Sequence, residues 1–136
     1  MKLAGWCAGL LIAACTSAPT PADDLKGLSA RVATTCQPIM ANRDLSVTID
    51  CLNSALPTTT VAVASGDYWE SNSSECIEHW SFFAVDGEVR IFETINDCAE
   101  TATTTVLEQS CPGPFSADTT GTFQIQATGC TIKVGG

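Results

Sequence analysis

The chain has 136 residues, enough for one domain and too few for two. Fifteen acidic residues face six lysines and arginines, a net charge of −9, so nucleic acid and anionic lipid headgroups are repelled rather than bound. Cysteine is the outlier at eight residues, none of them in a Cys-x-x-Cys spacing, which argues against zinc ribbons, c-type haem attachment and thioredoxin-like chemistry.

Met1-Lys2 carries one positive charge, and Leu3 to Ala14 is an apolar run too short to span a bilayer. The run ends in Ile12-Ala13-Ala14-Cys15, a branched apolar residue and two small ones before a cysteine. This resembles the lipobox of bacterial lipoproteins. The resemblance implies that residues 1–14 are a signal peptide and that Cys15 is acylated, with palmitate among the acyl chains, as the mature N-terminus. Residues 15–35 then form a lipid-anchored tether with a short helix. Thr16 to Ala22 is small and proline-containing, a tether able to span roughly 20 Å. Thr16 rather than aspartate after Cys15 points, by the same resemblance, to the outer membrane, with the domain facing the periplasm. An ordinary signal peptide cut near Ala22 stays open, giving a secreted protein with Asn72-Ser73-Ser74 as a glycosylation acceptor. Both readings leave Cys36, Cys51, Cys76, Cys98, Cys111 and Cys130, an even set that reads as a disulfide framework in an oxidising compartment.

Without Lys2, five basic residues face fifteen acidic ones, a net charge of −10. Nine of the acids fall between Asp67 and Glu100, where Arg90 is the only lysine or arginine, so a basic partner is steered inwards.

Asp23 to Val32 reads as a short helix, capped by Asp23 or Asp24, with Leu25, Leu28 and Val32 on one face and Gly27 weakening it. Leu45, Val47, Ile49 and Cys51 alternate with polar residues and predict a half-buried strand. Thr58 to Ala64 predicts a second strand that closes at Ser65-Gly66. The clearest unit is a hairpin from Ile77 to Ile95 across Asp86-Gly87, a pair that favours a type I′ turn. Val85 then faces Glu88, and counting back along the ladder brings Cys76 opposite Asp97, one position from Cys98. A Cys76–Cys98 bond leaves Cys36–Cys51 and Cys111–Cys130 as the natural remaining pairs. Thr103 to Leu107 is another strand and Cys111-Pro112-Gly113-Pro114 a loop. Gly121–Ala127 and Cys130–Val134 then form a second hairpin about Thr128-Gly129. The sum is a mainly β domain over residues 36–136: a small antiparallel barrel or sandwich of about seven short strands, disulfide-stapled, with a short N-terminal helix.

Tyr68-Trp69 at a strand start, Trp80-Ser81-Phe82 leading into Asp86-Gly87, and Gly121-Thr122-Phe123 before a closing strand resemble the small lipocalin-like domains of bacterial envelope lipoproteins. The resemblance runs from Gly66 to Val134 and implies an up-and-down barrel. In an open barrel Tyr68, Trp69, Trp80, Phe82 and Phe92 line a pocket for a small apolar ligand; otherwise they are core. Phe82 and Phe83 point to opposite faces, which places one of them in a second layer, in an interface or in solvent.

No group of residues stands out as catalytic. His79 is the only histidine, and its neighbour Glu78 points to the other face of the strand, so the two make no acid–base pair. Asp67, Glu70 and Glu75 lack the spacing of a calcium loop. Phosphate loops, serine elbows and His-Glu-x-x-His are missing. The expectation is a non-enzymatic envelope module, binding or structural, without metal or cofactor and for an unknown ligand or partner, a basic protein or a small apolar ligand being the candidates. An alternative is a proteinaceous inhibitor of a basic envelope hydrolase. Small lysozyme-inhibitor lipoproteins resemble this chain in lipobox, short disulfide-linked β barrel and acidic surface. Their Ser-Gly-x-x-Tyr loop is one residue longer than Ser65-Gly66-Asp67-Tyr68, and their site is not carried over.

Overall fold

The structure is a computed structural model that describes residues 17–40, 44–69, 77–96, 104–117 and 125–133. Helix α1 spans Pro21–Arg31. Its start is set upstream of the expected aspartates: Thr20 is the N-cap, and its side chain and that of Asp23 bond reciprocally to each other's backbone N–H. Pro21 occupies the first turn, where its missing N–H costs nothing. Strand β1, Val32–Thr35, follows directly and pairs in parallel with β2, Val61–Trp69. Helix and strand therefore pack with the sheet rather than standing apart from it.

The expected strand at Leu45 to Cys51 is instead helix α2, Ser46–Ala55. The buried positions Leu45, Thr48, Leu52, Ala55 and Leu56 follow a helical period, while Val47 is 52% exposed. Thr48 hid that stripe in the sequence: it is polar, yet buried with its hydroxyl donating to the Gln37 carbonyl at 3.0 Å.

β2 does not close at Ser65-Gly66 but runs through both to Trp69. A side chain at Gly66 would place its Cβ 2.8 Å from the Ile39 carbonyl oxygen, so only glycine lets the 36–40 segment lie along this edge. The hairpin of β3, Ile77–Val85, and β4, Glu88–Asn96, has the expected register, with Val85 opposite Glu88 and Glu78 opposite Ile95. Asp86 and Gly87 both have positive φ, +49° and +82°, as the type I′ turn requires.

Strand β5 runs longer than expected, Thr104–Cys111. The last segment departs from the expected hairpin. β6, Ser116–Ala117, pairs with β7, Ile125–Gln126, in a small separate sheet, whereas β8, Thr131–Lys133, joins β5. Thr128-Gly129 thus carries the chain between sheets rather than turning a ladder.

The main sheet has the order β1-β2-β3-β4-β5-β8, antiparallel apart from β1. The mainly β expectation holds. Among the described residues, though, no pairing joins β1 to β8, and the barrel implied by the lipocalin-like resemblance does not close. A layer covers each face instead. On one, Ala62, Ala64, Phe82, Ala84, Val89 and Ile91 pack with Leu52 and Leu56 of the α2 region. On the other, Val61, Phe83, Val85 and Phe92 pack with Leu28 of α1. Phe82 and Phe83 are both buried, because their strand has an apolar layer on either side.

Disulfides join Cys36 to Cys51 and Cys111 to Cys130, as expected. Loops of 15 and 19 residues contribute about 3 kcal/mol each by restricting the unfolded chain. Cys15, Cys76, Cys98 and Gly121-Thr122-Phe123 lie outside the described residues.

Candidate functional site

The five residues expected to line one pocket are not brought together. Phe82 packs against Phe115, with ring centroids 6.4 Å apart, in the layer beneath α2. Phe92 meets Phe83 edge-on at 5.5 Å in the layer beneath α1. Trp80, half-buried, stacks on Phe82 at 6.2 Å and donates from Nε1 to Glu78. Tyr68 and Trp69 end β2, their side chains outside the described residues. Phe82 and Phe92 are therefore core, on opposite faces of the sheet.

Register builds a different site. The β2–β3 ladder sets Asp67 directly opposite His79, and Asp67 Oδ1 lies 2.5 Å from His79 Nδ1. With Asp67 ionised, Nδ1–H donates to the carboxylate. Two rungs along, on the same face, Ser65 faces Ser81, their hydroxyls 3.4 Å apart. The segment past β1 completes the wall. Cys36 and Ile39 donate their N–H groups to the carbonyls of Val63 and Ser65, and the Cys36–Cys51 bond ties the segment to α2. The result is a pocket of about 470 Å³ between Pro38, Ile39 and Met40 on one side and Ser65, Asp67 and His79 on the other. Met40 is 47% exposed.

Sequence reasoning tested His79 against Glu78 and missed Asp67. The partner lies twelve residues upstream, across a connection too long to imply a register. The one usable signal was the shared parity of Asp67 with Ser65 on β2, and it was masked by reading Gly66 as a strand end.

A second cavity of about 310 Å³ separates α1 from the tip of the β3–β4 hairpin. Its charges satisfy one another: Arg31 lies 3.6 Å from Asp86, and Arg90 lies 3.5 Å from both Glu88 and Asp24. Beside it, Glu108 of β5 is 1% exposed and takes two bonds from Arg90, at 3.0 Å to Nε and 2.5 Å to Nη2. Burial pushes the Glu108 carboxyl above the ordinary carboxylate range, against the pull of Arg90. The Lys133 ammonium, 2.5 Å from Asp24, holds that carboxyl below it. These four groups pin α1 to the sheet. On the α2 face, burial and then the neighbouring Glu78 raise Glu93.

No lysine or arginine lines the pocket at the β2 edge, so Asp67 meets only the imidazole there among the described residues. Among those residues, no cluster of three or more histidines, cysteines or carboxylates is arranged to hold a metal. Comparison with family models, with curated proteins and with solved structures returns no match to this chain.

Proposed function

We propose that this chain is a non-enzymatic lipoprotein of the cell envelope, held to the outer membrane through Cys15, whose periplasmic domain binds a protein partner. The carrying observation is the pocket at the β2 edge, which joins an apolar wall to a carboxylate with no lysine or arginine beside it among the described residues. Phe82 and Phe92, on which a pocket for a small apolar ligand would draw, are spent on the core.

Two features support the compartment and the anchor. Disulfides Cys36–Cys51 and Cys111–Cys130 suit an oxidising environment. Cleavage near Ala22, the secreted alternative, would remove Thr20 and Pro21, the residues that cap and open α1. Cleavage before Cys15 keeps them. In this reading the acyl chains on Cys15 carry the attachment; no helix among the described residues is long and apolar enough to cross a membrane.

The acidic pocket also favours the inhibitor reading, in which the partner is a basic envelope hydrolase. For the anchor, Cys15→Ser should abolish acyl labelling and release the protein from the membrane fraction. A wild-type mature N-terminus at Ala22 or beyond would remove the anchor from the account.

A further inference from the structure

We infer that the pocket at the β2 edge is the docking site for a lysine or arginine side chain of a basic protein partner, an inference that rests on the binding-module reading above. Lysine and arginine carry an aliphatic stem and a cationic head, and they bury the one while keeping the other hydrogen-bonded. The pocket is divided in the same way. Pro38 and Met40 offer apolar surface to a stem, and Asp67 offers a carboxylate to a head. A carboxylate accepts at both oxygens, so the bond from His79 Nδ1 to Oδ1 orients Asp67 without exhausting it. His79 is thus a positioning residue: its ring N–H fixes the carboxylate through Oδ1 and leaves Oδ2 open to a partner.

Charge on a larger scale agrees. The described cations near the sheet are committed elsewhere, Arg31 to Asp86, Arg90 to Glu108 and Lys133 to Asp24. With a net charge of −10 the mature chain attracts a cationic partner at long range. Anionic ligands are repelled by Asp67 itself.

Placement agrees as well. Asp24, in the first turn of α1, meets Lys133 of β8, so the tether enters at the β8 edge. β2 lies four strands away in the sheet, about 19 Å at the usual strand spacing. The pocket therefore sits at the edge far from the anchor, where a soluble partner reaches it.

The test is an NMR titration of the mature chain in zwitterionic nanodiscs with hexalysine, and with hexaglutamine as the uncharged probe. Hexalysine should bind saturably and shift the Met40 methyl and the His79 ring. Its Kd should rise about tenfold between low and physiological salt, because the attraction is between solvated charges. Asp67→Asn keeps an acceptor for His79 and removes the charge; it should weaken hexalysine at least about tenfold, an effect of the size expected for a direct charge contact. Asp50→Asn removes the same charge from an exposed position on α2 that does not line the pocket and should change Kd less than about twofold, since solvated charges outside the contact are screened. Met40→Ser, at an exposed position, should also weaken binding with the fold unaltered. Equal losses in Asp67→Asn and Asp50→Asn would overturn the site and leave only non-specific attraction. Hexaglutamine binding as tightly, or no shift at Met40 and His79, would overturn it too. None of these results bears on acylation of Cys15, so the anchor stands or falls separately.

Discussion

Arg90 is the residue whose loss should be felt most sharply in the fold. Glu108 is 1% exposed, and Arg90 supplies both of its close contacts; the next cation, Lys133, is 3.7 Å away. Arg90→Met fills similar space and leaves a buried carboxylate with one distant partner. Breaking a buried pair from one side costs about 3–5 kcal/mol, and the Lys133 contact puts this case at the lower end, about 3 kcal/mol at pH 7. Urea unfolding with the disulfides intact measures it. At an m-value of about 1.5 kcal/mol per molar, the midpoint should fall by about 2 M. The pH dependence fixes the mechanism. Glu108 has a folded-state pKa above its unfolded value, so its contribution is fully present below the unfolded pKa and is lost as pH rises through the folded one. Removing Arg90 raises the folded value further, so the cost should shrink towards about 1 kcal/mol or less by pH 4.5, as the carboxyl takes up a proton. Adding Glu108→Met should recover most of the loss. A cost under about 1 kcal/mol at pH 7, or one that grows as pH falls, would refute a buried charge as the cause.

Asp24 has the opposite sign. Its folded pKa is depressed by Lys133, so its stabilisation is present above the unfolded pKa and lost as pH falls through the folded one. Asp24→Asn should cost about 0.5 kcal/mol at pH 7, solvent screening included, and nothing measurable at pH 2. Two glycines should respond in opposite directions to alanine. Gly66→Ala forces the Ile39 carbonyl away and should cost about 2 kcal/mol, whereas Gly27→Ala, with nothing within 4 Å, should stabilise α1 by about 0.5–1 kcal/mol; thermal unfolding reads both. Phe82→Ala and Phe83→Ala should each cost about 3–5 kcal/mol in the same urea assay, because each fills a separate layer. A large loss for only one of them would mean that one face of the sheet is not a core.

What could be read without the structure was local. Asp86-Gly87 determines its hairpin by itself: two residues of positive φ leave no freedom in the pairing, so the register from Val85–Glu88 to Glu78–Ile95 follows. The N-terminal helix was legible through short-range periodicity, and the pairings Cys36–Cys51 and Cys111–Cys130 as what a Cys76–Cys98 bond across the same hairpin would leave. Tertiary structure decided the rest. Leu45 to Cys51 alternates as a strand does, and a buried Thr48 completes an equally good helical stripe. The choice fell to α2 because one face of the sheet needed a cover and a helix supplied it. Phe82 and Phe83 in sequence left open which face was core, and packing α1 on one side and α2 on the other made both so. The site was the least legible. Asp67 and His79 meet through a ladder whose register no tight turn specifies, and the 36–40 wall approaches only because Gly66 has no side chain to keep it away. A sequence displays the contacts made within one turn of chain, whereas those made across a sheet depend on which strands pair and on what covers them.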